Sequence, residues 1–357
     1  MSNFDLSNLA LSAVCPGNEI LYDDKGMPSI MVKIPKQTYA QLGMGESTAV
    51  HPAFIVNGQE VDAIWISKFP NIIKNGRAYS LPGQDPANTL NFETALNACT
   101  AKGSGWHMMT QMERGLLIQW CENNGFIPKG NNDYGKDSTE SSYKAIPANI
   151  VSGQTNRILT GTGPLTWYHD NSPSGIDGLG GNVRDWSGGV RSVYGELQIL
   201  ANNNGADSAH SQLAGGQEWK AIKADDGTLI DPDESGTTAG SVKMDWIGGK
   251  LTYSTSITDA SPGSHYCPFG DIVCDGTIGD NAKLLLQSIG MLPYNATGLC
   301  QTHRCYFDNA GDERSFLCGG YYSNTVYGLA TFNGNNSRTY TSATFGFRSA
   351  FVVLPPA

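Results

Sequence analysis

The side chains able to do chemistry are scattered along this chain rather than gathered. The eight cysteines, Cys15, Cys99, Cys121, Cys267, Cys274, Cys300, Cys305 and Cys318, include no C-x-x-C pair. The short-spaced ligand knuckles of a structural zinc site are therefore missing. Reduced thiols are the expectation for a chain made in the cytosol. The six histidines, His51, His107, His169, His210, His265 and His303, are nowhere closer than 38 residues, so no H-x-x-x-H ligand pair exists. Three of them could still meet in space. There is no Gly-x-Ser-x-Gly elbow and no Gly-x-x-x-x-Gly-Lys-Ser/Thr phosphate loop. Asp231-Pro232-Asp233-Glu234 could touch calcium, although acidic turns of this kind are usually just solvated. These residues imply no catalytic group and no cofactor, and they leave a metal open.

One stretch is built for a different kind of chemistry. In residues 319–345, Gly, Tyr, Ser, Asn and Thr fill 20 of 27 positions, and Arg338 is the only charge. Antibody paratopes use this vocabulary: Tyr supplies contact area at low entropic cost, and the small polar residues supply adaptable hydrogen bonds. The same composition also suits a Gly/Asn-rich surface loop. As a binding surface, its expected ligand contacts are Tyr321, Tyr322, Ser323, Asn324, Thr325, Val326, Tyr327, Thr331, Tyr340, Ser342 and Thr344. Asn333, Gly334, Asn335 and Asn336 read as a tight turn.

The elements that must position this tract follow from periodicity and turn residues. Met31-Val32-Lys33-Ile34 alternates as a strand, closed by Gly43-Met44-Gly45. Phe54-Ile55-Val56 and Ala63-Ile64-Trp65-Ile66 read as a hairpin around Asn57-Gly58, with a link longer than a two-residue turn. Phe92, Ala95, Leu96 and Cys99 lie on one face of a short helix stopped by Gly103-Ser104-Gly105. Thr110 with Glu113 forms a capping box for a second helix, whose stripe is Leu116, Leu117, Trp120 and Cys121. Residues 126 to 190 show little periodicity. Glu196 to Leu200 is a candidate strand. Residues 201–262 read as a polar insertion with some hairpin structure, anchored by Trp219 and Trp246. Phe345 to Leu354 reads as a buried terminal strand.

Composition sets outer bounds. The 357 residues carry 23 Lys+Arg against 33 Asp+Glu, a net charge of −10, with 43 Gly and only 16% charged residues. That length is ample for a core, and the Gly-rich, charge-poor mix predicts many turns. An acidic chain without a basic run lacks the footprint of a nucleic-acid binder. No apolar stretch approaches the ~20 residues of a membrane span. Neither a secretion signal nor a lipidation signature appears at the ends.

Three landmarks then align with a known fold. Trp106-His107-Met108-Met109-Thr110-Gln111-Met112-Glu113 resembles the Arg-Leu-Pro-Thr-x-x-Glu-Trp stretch of the formylglycine-generating-enzyme-like C-type lectin fold. Gly181-Asn182-Val183-Arg184-Asp185-Trp186 resembles its Gly-Asn-Val-Trp-Glu-Trp signature, and Phe345-Gly346-Phe347-Arg348 its closing strand. All three occur in the family's order over about residues 50–355. Arg314-Ser315-Phe316-Leu317-Cys318-Gly319-Gly320, the polar tract, and Gly346-Phe347-Arg348-Ser349-Ala350 together resemble the C-terminal variable region of diversity-generating retroelement variable proteins. In that branch, adenine-directed mutagenesis rewrites one cassette.

The resemblance implies an α+β, C-type lectin-like domain with irregular loops, two helices and small antiparallel sheets. It would span residues 51–357, with the insertion at about 201–262 and a variable region at about 319–345. Residues 1–50 would serve oligomerisation or docking. By resemblance, the function is that of a receptor-binding tropism determinant at a phage or prophage tail tip. It would be made in the host cytoplasm and bind a bacterial surface protein or glycan. It would be a homo-oligomer, a trimer by analogy, beside phage tail proteins. No nucleic acid, membrane insertion or enzymatic activity is expected.

The alternatives are a metal-dependent oxidase of the same fold and a fixed-specificity lectin. The oxidases use two cysteines five apart as soft copper(I) ligands. Cys300 and Cys305 match that spacing but precede Cys318-Gly319-Gly320, whereas the family's pair follows the matching motif. They read better as core thiols or as a disulfide closing a small loop. Asn182, Arg184, Asp185 and Trp186 read as structural. Asn182 suits a left-handed turn and Trp186 suits burial. Arg348 reads as a buried fork on carbonyls or on Asp185.

Overall fold

In a computed structural model that describes residues 6–356, the chain begins with α1 (Leu6–Val14), β1 (Asn18–Tyr22), β2 (Pro28–Pro35) and β3 (Ala63–Ser67). α2 (Phe92–Thr100), β4 (Trp106–Met108) and α3 (Gln111–Asn123) follow. The second half holds β5 (Arg184–Val193), β6 (Glu196–Ile199), β7 (Lys243–Ile247), β8 (Lys250–Ser254), β9 (His265–Pro268) and α4 (Asp280–Ser288). It closes with β10 (Arg304–Phe307), β11 (Arg314–Cys318), β12 (Phe332–Asn336), β13 (Phe345–Phe347) and β14 (Ser349–Val352). Very short strands and 3-10 turns connect them. The expected α+β class is the class observed. The first five residues of the expected 1–50 segment lie outside the described residues.

Both expected helices start where a polar side chain takes up free backbone N–H groups. The Asn91 side chain accepts from the Thr94 N–H at 2.9 Å, and Phe92, Ala95, Leu96 and Cys99 of α2 are buried. At α3 the capping box closes both ways. The Glu113 N–H donates to Thr110 Oγ1 at 3.1 Å, and the Thr110 N–H donates to Glu113 Oε2 at 2.9 Å. Every residue from Gln111 to Gln119 is buried, so α3 is a core helix rather than a surface one. Gly115 is required there, because a Cβ would stand 2.0 Å from the Ser288 carbonyl at the end of α4. α1 and α4 were not expected. α1 buries none of its residues and α4 only three, Ala282, Leu286 and Ser288, so neither carries the apolar stripe that marks α2.

Two sheets carry the rest. The first is antiparallel with strand order β1-β2-β3-β14-β4, so the C-terminal strand lies between strands from the first third of the chain. The second runs β9-β10-β12-β11-β5-β6-β7-β8 and belongs to a twelve-stranded sheet, larger than the small sheets expected. β13 adds to it in parallel on β5. Ile64, Ile66 and Val352 of the first sheet, Leu116 and Leu117 of α3, and Val190 and Leu197 of the second sheet share one buried cluster.

Two local expectations are corrected. The Asn57-Gly58 hairpin is a two-residue turn: Ile55–Val56 pairs with Gln59–Glu60, and both turn residues have positive φ, 54° and 71°. Ala63–Ile66 belongs instead to β3, between β2 and β14. The terminal run is likewise two strands in two sheets. Arg348, fully buried, sits between them. It donates to the carbonyls of Ser67 (2.8 Å), Lys68 (3.3 Å) and Asp177 (2.8 Å) and to Asp185 Oδ2 (3.3 Å). This is the fork expected of it, and it ties the sheets together. Among the described residues, no helix is long and apolar enough to cross a membrane.

Gly115→Ala is expected to cost about 1–3 kcal/mol through overpacking of α3 on α4. Denaturant unfolding of the purified variant measures it, and an unchanged midpoint would contradict the packing described.

Candidate ligand-binding surface

Both ends of the 319–345 tract are fastened to one stretch of β5. On one side of β5, Asp185 and Trp186 pair with Cys318 and Leu317 of β11; on the other, Arg184, Asp185 and Trp186 pair with Phe345, Gly346 and Phe347 of β13. Trp186 is fully buried, with the rings of Phe92 and Phe345 edge-on to it. Asn182, just before, has φ 72° and exchanges hydrogen bonds with the backbone of Ile158. The structural reading of Asn182, Asp185 and Trp186 thus holds in detail.

The middle of the tract is also held. Residues 333–336 are not the expected tight turn but part of β12, which pairs antiparallel with β11 and parallel with β10. Gly334 serves close packing instead, since a Cβ there would stand 2.5 Å from the Phe316 ring. Arg338, the tract's single charge, is buried. It donates to Glu313 at 2.7 and 2.8 Å and to the Gln212 carbonyl at 3.2 Å, and it lies over the Phe92 ring. Arg191 reaches the same Glu313 at 3.0 Å. Burial pushes the Glu313 carboxyl up. The hydrogen bonds and charges of Arg338 and Arg191 outweigh that and hold it below the ordinary glutamate range.

Between these anchors, two stretches reach solvent. Tyr321, Tyr322, Ser323 and Asn324 are half-buried and Thr325 and Val326 exposed; Tyr340 is exposed and Ser342 and Thr344 half-buried. Two of the expected contacts lie deeper. Thr331 is 1% exposed, because its hydroxyl accepts the Gly328 N–H and its carbonyl the Gly319 N–H, so it does not reach the surface. Tyr327 is buried, with its ring against Tyr321 and Tyr306.

The tract's tyrosines continue onto residues outside it. Rings follow one another from Tyr134 to Tyr322 (6.3 Å), Tyr321 (5.9 Å), Tyr327 (5.5 Å), Tyr306 (5.6 Å) and Tyr266 (5.4 Å). Arg184 lies over Tyr321 and Tyr327 at 4.4 and 4.8 Å, and Arg304 over Tyr266 at 4.8 Å. Tyr134, Tyr266, Tyr306, Arg184 and Arg304 are members of this surface that sequence reasoning missed. One signal was available for Arg184, a charge where the resembled signature has Trp. The others are separated by too much chain for any motif to join them.

Beside Tyr327 opens a pocket of about 220 Å³, walled by Lys129, Asn132, Ser138, Thr139, His303 and Thr325 among others. Burial and the nearby Arg114 push the His303 imidazole down to about 4, so it is neutral at pH 7. Its Nδ1 accepts the Ala330 N–H at 3.2 Å, which leaves the ring proton on Nε2. Cys300 and Cys305 are free, core thiols, as one of their two readings had it, and the disulfide reading is corrected. Cys305 Sγ faces the Ala330 carbonyl at 3.4 Å. Burial raises both thiols well above their ordinary range. Sealed in this way, they do not fit a metal that must stay open to substrate.

No family model matches the chain, and no curated protein matches it. Among solved structures, PvdO from Pseudomonas aeruginosa is similar with a TM-score of 0.38 at 13% identity, over 95% of this chain and 99% of that one. Treponema denticola variable protein 1 gives 0.37 at 12%, over 95% and 100%. The Major Tropism Determinant U1 variant gives 0.30 at 11%, over 94% of this chain and 71% of that one. These likenesses are loose.

Arg338→Met is expected to destabilise the fold by about 1–3 kcal/mol, because half-buried Glu313 is left with Arg191 as its remaining ion-pair partner. The lowered folded-state pKa of Glu313 gives a sign. Its stabilisation is present above the unfolded value of about 4.3 and is lost as pH falls through the folded value. Unfolding curves between pH 3 and 7 should therefore show a smaller acid loss for the variant than for the wild type. Parallel curves would contradict the role given to Arg338.

Proposed function

We propose that this chain is a ligand-binding protein that presents residues 319–345 as a diversified recognition surface on a C-type lectin-like scaffold. The observation that carries this reading is the mode of attachment. Both ends of the tract pair with β5, its centre is a paired strand, and the exposed side chains lie in the two stretches between. Side chains in such stretches can change at little cost, since exposed substitutions away from special features usually stay within ~0.5 kcal/mol. The contacts proposed are Tyr321, Tyr322, Ser323, Asn324, Thr325, Val326, Tyr340, Ser342 and Thr344, with the ring of Tyr327 behind them.

In this reading the protein binds rather than catalyses. Its setting is a phage or prophage tail tip, and its target is a protein or glycan on a bacterial surface. Several copies acting together would turn weak single sites into useful attachment, a gain of roughly 10²–10⁴ for two tethered sites. Of residues 1–50, β1 and β2 belong to the first sheet, so the proposed contact with other copies or with the particle is α1. In support, α1 buries none of its residues and leaves Leu6 and Val14 about 70% exposed, at 69% and 70%.

Sequencing this gene in sibling isolates tests the reading. Differences concentrated at codons 321–326 and 340–344, with a near-identical template repeat and a reverse transcriptase nearby, are expected. A constant tract would favour the fixed-specificity lectin. In the protein, Tyr322→Ala and Tyr340→Ala should each weaken attachment to the host surface while the circular dichroism spectrum stays that of the wild type. Undiminished attachment of both variants would contradict the surface assigned.

A further inference from the structure

The buried arginines of this chain have partners, with one exception. Arg114 donates to the Leu329 and Leu179 carbonyls, Arg191 and Arg338 to Glu313, and Arg348 to Asp185 and three carbonyls. Arg184 is only 7% exposed, yet among the described residues its guanidinium has no hydrogen bond and no ion pair, and its Nε is buried with no partner. The faces of Tyr321 and Tyr327 are what it has. Such contacts return part of the cost of a desolvated charge and leave its donors free. This occurs in a chain with ten more acidic than basic residues, 33 against 23. A planar fork held rigidly and left unpaired is prepared for a carboxylate, which it can bind through two parallel hydrogen bonds.

Its place in the fold adds to this. Arg184 belongs to β5, outside the tract, while its backbone N–H donates to the Thr344 carbonyl at 2.8 Å and its side chain lies between Tyr321 and Tyr327. It therefore touches both exposed stretches and does not change when they do. Arg304, at the far end of the tyrosine row, also has no ion pair among the described residues and lies over Tyr266. Next to Tyr327, the pocket offers the hydroxyls of Ser138 and Thr325, the Lys129 ammonium and the wall of neutral His303, while Asp137, also in its lining, takes up the Asn132 amide at 3.0 Å and the Thr139 hydroxyl at 2.7 Å. Exposed aromatic rings match the apolar faces of sugar rings, and hydroxyl walls match sugar hydroxyls.

We propose that Arg184 is a constant carboxylate-binding group at the centre of the surface, and that the ligand is an acidic saccharide of the uronic-acid class. This rests on the tract being a ligand surface and names what that surface takes. The test is calorimetric titration of the full chain with three probes: hexagalacturonate, its carboxyl-reduced neutral hexamer, and a hexaglutamate peptide. The wild type is expected to bind the uronate at least tenfold more tightly than the neutral hexamer or the peptide. Arg184→Gln should bring the uronate-to-neutral ratio close to one while the affinity for the neutral hexamer stays at the wild-type value, a split that a purely structural arginine would not produce.

No uronate binding, or tighter binding of hexaglutamate, would overturn the saccharide. A ratio unchanged in Arg184→Gln would overturn the role of Arg184. Either result leaves the display reading standing if Tyr322→Ala and Tyr340→Ala still reduce attachment to host cells. If those variants attach like the wild type, the failure is that of the surface itself.

Discussion

Everything at the carboxyl end depends on one short segment of backbone, Arg184-Asp185-Trp186. β11 and β13 pair with it from opposite sides, so the chain leaves these residues and returns to them 27 residues later. The three side chains divide the work. Trp186 fills the core, Asp185 meets Arg348 where the two sheets join, and Arg184 supports the tyrosines. A tract closed at both ends on one strand cannot drift, whatever its exposed side chains are.

Rigidity and freedom are thus separated by residue. Phe332, Asn333, Arg338 and Phe345 are buried and paired, whereas Thr325, Val326 and Tyr340 are exposed. Exchanging exposed groups has little effect on folding energy. The anchors have the opposite character. A buried arginine without its carboxylate costs several kcal/mol. The tract's single charge is therefore a fastening, not a contact. A rigid aromatic platform also gives up little entropy on binding, which favours tyrosine at such positions.

Much of this was legible in the sequence, for local reasons. The Thr110–Glu113 box and the apolar face of Phe92, Ala95, Leu96 and Cys99 are short-range patterns, and both form as read. Arg348 was legible because a lone arginine within an apolar run must find carbonyls. The turn reading of Asn333–Asn336 failed because tertiary pairing on two sides outweighed local turn preference. Thr331 was misplaced because composition cannot tell an outward hydroxyl from one spent on a backbone N–H. The residues beside the tract were hidden for a different reason. Tyr134, Tyr266 and Tyr306 lie far apart in sequence; the order β9-β10-β12 brings Tyr266 and Tyr306 beside the tract, and Tyr134 is held there by its N–H on the Tyr322 carbonyl at 2.7 Å.

The central claim is that the scaffold holds the tract's backbone independently of its exposed side chains. Thermal unfolding of a panel randomised at residues 321–326 and 339–344, with Arg338 and residues 327–337 untouched, tests it most directly. The account predicts unfolding temperatures within about 2–4 °C of the wild type across the panel. Broad loss of cooperative unfolding among the variants would show that the exposed stretches help hold the fold together, and would contradict it.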